Sequence, residues 1–279
     1  MATRAGHPLA PLSDALNAWQ MWAPDPHLPD RRPGLGEVLG TGSANTVFAL
    51  DRMPDRVLRV RHNSASLSLN PPEQEITLWR AAAKLGLAPS VLWVGAKRNV
   101  VITKRLIFGE IDVHAHSQLL KHIHESGITA PRLSLEQTAH RYAATIAAKR
   151  LSHFAVDIRT PIIRNDLQRL DNEPACFCHN DLTPSNIGQI ECSYLAIDWE
   201  YASLGNRHFD IAVASQNMAP MVRYEFAKKV AGMFFDRRQW DAACRVAPLM
   251  DHLWSLAVMD HAEGVLGKTA VERSWASHE

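Results

Sequence analysis

Cys176-Phe-Cys-His-Asn-Asp-Leu-Thr-Pro-Ser-Asn-Ile-Gly188, followed by Tyr194-Leu-Ala-Ile-Asp-Trp-Glu-Tyr201, is the stretch that decides how this chain is read. Asp181 sits among polar, turn-forming residues, where a carboxylate can hold an incoming hydroxyl and take its proton. Asn186 follows five positions later and opens a short apolar run, Ile187-Gly-Gln-Ile190. Asp198 comes twelve positions after Asn186, at the end of the run Leu195-Ala-Ile197. A hairpin between these two runs brings Asn186 and Asp198 together. One amide oxygen and one carboxylate, completed by waters and phosphate oxygens, suit Mg²⁺ bridging a nucleotide's phosphates.

Working outward, the N-terminal side is rich in strand signals. Residues 36–42 read as a strand entering a glycine turn, 45–50 as its partner, and 56–61 alternates Val and Leu with Arg at strand period. A helix is expected from Pro72 to about Leu85, with Pro in its first turn and Gly86 past its end. Short strands are expected at 90–95 and 99–105. Beyond Gly109 the pattern turns helical, over 113–125, 134–154, 221–235 and 239–264, interrupted by the β-prone stretch 175–200. Residues 1–33 hold six prolines and read as an irregular leader with one short helix near 13–22, on which Leu16, Trp19 and Trp22 form an apolar stripe. The expected division is this leader, a β-rich lobe at 34–105, and a mostly helical lobe at 106–279.

Composition narrows the function classes. Thirty basic and 29 acidic residues give a formal charge of +1, which speaks against an acidic tail and against non-specific nucleic-acid binding. No apolar run reaches the length of a membrane span, and the first residues lack the apolar core of a secretory signal. Four cysteines are too few for a disulfide framework, so a cytoplasmic location is expected. Cys176-x-Cys178-His179 has the wrong spacing for structural zinc, and none is expected. His114, His116, His122 and His124 read as surface histidines. The sequence is silent on oligomeric state.

His179-x-Asp181-x-x-x-x-Asn186 with Ile197-Asp-Trp-Glu-Tyr-Ala202 and Asn206-Arg-His-Phe-Asp-Ile-Ala212 resembles the aminoglycoside phosphotransferase and choline kinase superfamily. The likeness covers about residues 34–265 and leans towards the choline and ethanolamine kinase branch, with thiamine kinase-like features. It implies an α+β, protein-kinase-like bilobal fold that uses ATP and Mg²⁺ to phosphorylate a hydroxyl of a small, possibly cationic molecule such as choline. Thiamine, aminoglycosides and sugars are alternative acceptors, and a catalytically silent nucleotide-binding module is the alternative of another class. The resemblance makes Asp181 the catalytic base, with His179 and Asp210 supporting the loop, and Asn186 and Asp198 the metal ligands. It places the nucleotide on Gly40, Gly42, Ser43, Asn45, Arg59, Glu75, Lys104 and Leu106. Arg59 stands where most kinases have lysine; Arg61 shares its strand face.

For the acceptor, Glu200, Tyr201, Asn217 and Trp254 are candidates. Trp254 lies in a Leu-Trp-x-Leu pattern resembling the region that encloses choline, where aromatic faces favour a quaternary cation. Asn217 is a departure. Choline kinases commonly carry an acidic residue at that position, seven after the aspartate matched by Asp210.

Overall fold

The structure, a computed structural model, describes residues 10–22, 32–42, 45–61, 70–149, 151 and 158–258. These form two compact units. Unit 1 runs through residues 1–130 and 177–203; unit 2 runs through 131–176 and 204–279. The unit holding the β-sheet therefore takes in the 177–203 segment as well as residues 34–105.

Unit 1 is built on a five-stranded antiparallel sheet, order β1-β2-β3-β5-β4. The strands are β1 (Leu35–Thr41), β2 (Asn45–Leu50), β3 (Arg56–Arg61), β4 (Val91–Val94) and β5 (Val100–Lys104). Side chains of a strand alternate between its faces. On one face Leu58, Val100 and Ile102 pack with Leu50 and Met53 into an apolar cluster. That cluster is completed by the leader, where the helix expected near 13–22 is two short ones: α1 (Ala10–Asn17) and α2 (Trp19–Trp22) contribute Leu12, Ala15, Leu16 and Trp22. The indole of Trp22 donates to the carbonyl of Ala15 at 2.8 Å, so its N–H is satisfied inside the cluster.

The opposite face of β3 carries Arg59 and Arg61, both buried and both directed at α3 (Pro72–Lys84). This helix starts on Pro71 and Pro72, buries Ile76, Leu78, Trp79 and Ala82, and stops where Gly86 takes φ +71°. Trp79 donates to the carbonyl of Pro89 at 2.8 Å. After β5, Ile107 bridges antiparallel to Gln189, and α4 (Val113–Glu125) begins on Asp112, whose carboxylate accepts from the N–H groups of His114 and Ala115. His116 and His124 correct the surface reading of this helix: both are buried, because they stand on its inward face. His116 Nε2 lies 2.9 Å from the carbonyl of Leu182.

The chain passes between units within β6 (Cys176–Cys178) and after the first residue of β9 (Ser203–Gly205). Between them, β7 (Ile187–Ile190) and β8 (Ser193–Ala196) form the expected hairpin, pairing Ile187 with Ala196. Its position is fixed by a close approach. A Cβ on Gly188 would stand 2.6 Å from Leu106 Cβ and 2.9 Å from its Cδ1, so only glycine lets the buried Leu106 seat there.

Unit 2 is helical: α5 (Leu135–Ala148), α6 (Pro161–Asp171), α7 (Arg207–Ala214), α8 (Pro220–Ala231) and α9 (Arg237–Val258). α9 packs against α5, α6 and α7 and buries Trp240, Val246, Leu253 and Leu256. Asp171 caps α5 by accepting from Ser134 Oγ and from the N–H groups of Leu135 and Glu136. Asp166 takes a two-pronged bond from Arg245 at 2.7 and 2.9 Å. The sequence reading lacked α6 and α7 and ran α8 past Gly232, where the helix ends at φ +55° and a 3₁₀ turn (Gly232–Phe234) follows. The expected helical residues 259–264 lie outside the described residues, as do 150 and 152–154. No helix among the described residues is long and apolar enough to cross a membrane.

Gly188→Ala is expected to cost about 1–3 kcal/mol, because the added methyl must displace the side chains of Leu106 and Phe108. Gly40→Ala, which meets no atom within 4 Å, should change stability by less than about 0.5 kcal/mol. Chemical denaturation of both variants checks this; equal midpoints would contradict the packing account.

Candidate active site

Among the described carboxylates of unit 1, Glu75 is the most buried, at 1% exposure, and it lies between two arginines. Arg59 Nη2 reaches its Oε1 at 2.5 Å, and Arg61 Nη1 pairs with Oε2. Strand period places both guanidinium groups on one face of β3, and the first turn of α3 delivers the carboxylate to them. Arg59 also stacks on Trp79, 4.8 Å from the ring centroid. Burial alone would lower the Arg59 pKa; the Glu75 and Asp198 carboxylates outweigh it and hold the guanidinium above its ordinary value.

Arg59 extends the chain of contacts to Asp198, 3.5 Å from Nη1 to Oδ1. Asn45, at the start of β2, donates to the same Oδ1 at 3.3 Å. Asp198 itself adopts φ +68°, ψ +65°, a left-handed conformation that costs an ordinary side chain about 1 kcal/mol or more. Its carboxyl is pushed up to about 7, first by burial and then by Glu200, against the opposing pull of Arg59. Glu200 and Tyr201 follow in a 3₁₀ turn (Trp199–Tyr201). Glu200 is buried, its carboxylate 3.7 Å from Arg61.

The other half of the site is the loop from His179 to Asn186. His179 is fully buried, with Nε2 3.0 Å from the carbonyl of Ile197 and its ring 4.7 Å from that of Trp199, which stacks on Phe177. Asn180 takes φ +63° and donates to the carbonyl of Tyr201 and to Ser203 Oγ, both at 2.8 Å. Asn186 ends a 3₁₀ turn (Pro184–Asn186) and donates through Nδ2 to both the carbonyl and Oδ2 of Asp181, each at 2.8 Å. Its own carbonyl accepts from the N–H of Ile197 at 2.9 Å. One loop and one hairpin thus join Asp181, Asn186 and the residue before Asp198 by hydrogen bonds.

The remaining candidates fall as follows. Gly40 lies in β1 opposite Val47, and Gly42 N–H donates to the carbonyl of Asn45 at 2.8 Å. Ser43 is outside the described residues. Lys104 ends β5, exposed and opposite Arg56; Leu106 is buried against Gly188. Asp210, Asn217 and Trp254 belong to unit 2. Asp210 is fully buried in the first turn of α7, Asn217 is exposed in the turn after it, and Trp254 is half-buried in α9. Two further residues were not singled out from sequence: Asn70, which holds the backbone after Asp198, and His116 beneath Leu182.

The residues suit an anionic ligand with a hard cation. Among the described residues, the buried Arg59 Nε and Asn45 Oδ1 lack hydrogen-bond partners. Asp198 and the amide oxygen of Asn186 are the kind of oxygen donors that Mg²⁺ prefers.

A sequence model of the "Phosphotransferase enzyme family" matches residues 36–249, most of the chain. The chain belongs to this family of kinase-like phosphotransferases. It is 27% identical over 109 residues to "Protein LicA homolog" of Mycoplasma capricolum subsp. capricolum, a match spanning 38% of this chain and 45% of that protein's length. In three dimensions it is similar to choline kinase LicA from Streptococcus pneumoniae, with TM-score 0.65 and 14% identity over 88% of this chain and 94% of the other. It is equally similar to APH(2″)-IIia, solved with GDP and kanamycin, with TM-score 0.65 and 12% identity over 96% and 99%. These likenesses bear out the α+β kinase-like fold expected from the sequence.

The Asp198 carboxyl generates a pH prediction for the metal-free protein. An unfolded aspartate titrates near 4 (about 3.9), and the folded group titrates at about 7. Between these values the folded state holds more protons than the unfolded one, so this group's stabilising contribution is complete below the window and is lost as pH rises through it. Relative to the native protein, Asp198→Asn should therefore gain stability from pH 4 to 7 and level off above. Denaturation midpoints across that range in chelator-treated buffer test it; a constant difference would show that Asp198 titrates normally.

Proposed function

We propose that this protein is a Mg²⁺- and ATP-dependent kinase that moves the γ-phosphoryl group to a hydroxyl of a small molecule, with choline or a related amino alcohol as acceptor. The observation that carries the reading is the linkage of Asp181, Asn186, Asp198, Arg59 and Glu75 through successive backbone and side-chain contacts in one compact unit. Family membership supplies the reaction type.

In this reading Asp181 orients the acceptor hydroxyl and takes its proton, the role its position on a short braced loop suits. Its Oδ2 is already fixed by Asn186, so the carboxylate has a defined direction before substrate enters. Asn186 and Asp198 would hold Mg²⁺, which supplies charge neutralisation for the phosphates. Arg59 binds α- and β-phosphate oxygens; its fork already touches Glu75 and Asp198, and its Nε remains for a further acceptor. Glu75 keeps that fork in place. Gly40, Gly42 and Asn45 contact the phosphates, and the 104–106 connection receives the adenine edge. His179 and Asp210 act structurally. The lobe division at residues 105 and 106 and a cytoplasmic location remain part of this proposal.

The choline reading draws on the sequence motifs and on the LicA likenesses. Asn217, exposed and neutral, supplies no carboxylate for a quaternary ammonium, so binding of the cation falls to aromatic faces such as Trp254. A panel of choline, ethanolamine, thiamine, kanamycin and simple sugar alcohols, with ATP, Mg²⁺ and mass detection of phosphorylated product, is expected to give choline or ethanolamine as the best acceptor. Product from an aminoglycoside alone would move the acceptor class, and no product with any hydroxyl would leave a silent binding module.

Two variants test the roles. Asp181→Asn should lower kcat by about 10²–10⁴-fold with nucleotide affinity kept; full turnover in that variant would remove the base assignment. Arg59→Ala should raise the nucleotide KM by about tenfold or more, since it removes a charge-assisted contact worth about 1.5–3 kcal/mol. An unchanged nucleotide KM and kcat would remove Arg59 from the phosphate site.

A further inference from the structure

The turn that carries Asp198 is gripped by residues that phosphoryl transfer itself does not require. Asp198 is held in a left-handed conformation that a non-glycine residue keeps only when its surroundings impose it. Asn70, 2% exposed, does part of this. Its Nδ2 donates to the carbonyls of Trp199 at 3.4 Å and Ala202 at 2.8 Å, and its N–H donates to the carbonyl of Glu200 at 3.0 Å. The side chain of the turn is held by Arg61, which is 8% exposed. One guanidinium nitrogen pairs with Glu75 and the other lies 3.7 Å from Glu200 and 3.5 Å from the carbonyl of Asn70. Arg61 therefore links α3, Asn70 two positions ahead of that helix, and the 3₁₀ turn after Asp198.

We propose that Arg61 is a positioning residue that, through Glu200 and together with Asn70, locks the Asp198 turn in the shape that binds the metal. The inference rests on the kinase reading above. It reassigns Glu200 from the acceptor wall to a tether, because its buried carboxylate is directed at Arg61. A planar fork can hold two carboxylates at once, whereas an ammonium on a flexible stem is a single point charge. Glu75 is shared by Arg59 and Arg61, so it stays anchored by one while the other serves the nucleotide.

A double-mutant cycle tests this with Arg61→Lys, Glu200→Gln and the pair. The readout is binding of Mn²⁺ in the presence of a non-hydrolysable ATP analogue, followed by electron paramagnetic resonance, with acceptor KM measured separately. Each single variant is expected to weaken Mn²⁺ binding by about tenfold or more, as loss of an outer support does at other metal sites. The double variant should be no weaker than the worse single, since both remove one link. Additive losses, unchanged Mn²⁺ affinity in either folded variant, or a rise in acceptor KM with Glu200→Gln at unchanged metal affinity would overturn the proposal. If Arg61→Lys does not fold, Asn70→Ala replaces it: about tenfold weaker Mn²⁺ binding supports the lock, and unchanged binding overturns it. The two readings fail differently. Wild-type protein that binds no Mn²⁺ with nucleotide defeats the kinase reading and this inference with it; wild type that binds it, with Asp198→Asn that does not, keeps the kinase reading whatever Arg61→Lys does.

Discussion

A carboxylate placed inside a sheet-and-helix unit must be neutralised, and Glu75 is neutralised twice. Removing either partner of a buried ion pair leaves an uncompensated charge and costs about 3–5 kcal/mol. The constraint therefore reaches well beyond Glu75. It fixes the first turn of α3 against β3, it sets the direction of the Arg59 fork, and it gives Arg61 a fixed origin from which to reach Glu200. The rest of unit 1 is arranged to keep this contact dry. Trp79 covers Arg59 from the helix side, and the apolar cluster with α1 and α2 backs the sheet on the other face.

The same contact determines the electrostatics of the site. Glu75, Asp198 and Glu200 face Arg59 and Arg61, three acids against two bases. The surplus acid is felt at Asp198, whose carboxyl is driven up by burial and by Glu200. The left-handed backbone and the raised carboxyl thus fall on one residue, whose Oδ1 is shared by Arg59 and Asn45.

Much of this was readable in the sequence where the signal is local. The strands β2 and β3 have the expected bounds, β3 because Val and Leu alternate with Arg, and α4 has its expected bounds as well. Asp181 and Asn186 meet because a short loop converts fixed spacing into contact, and the hairpin brings Asn186 to the residue before Asp198. What the sequence hid is long-range. Asn70 and Trp199 are 129 positions apart, and nothing in either segment announces the other. α6 was missed because its inward face offers few apolar side chains, Leu167 and Leu170 beside the ion-paired Asp166. α7 is only eight residues long and begins inside a motif read for its chemistry. The burial of His116 and His124 follows from which face of α4 packs inward, which a polar residue type does not reveal.

The chain also separates what must be constant from what can vary. The loop at 181–186, the hairpin and the Asp198 turn all return within residues 177–203 to the unit that holds the sheet. Their hydrogen bonds to His116, Asn45, Arg59, Arg61 and Asn70 are made inside that unit. Those contacts close on one another: Asn186 on Asp181 and on the N–H of Ile197, Asp198 on Arg59 and Asn45, and Glu200 on Arg61. Asn217 and Trp254 lie in unit 2, on elements with their own caps and their own core around α9. Exchange of a residue such as Asn217 therefore leaves the contacts of the Glu75 and Asp198 cluster intact.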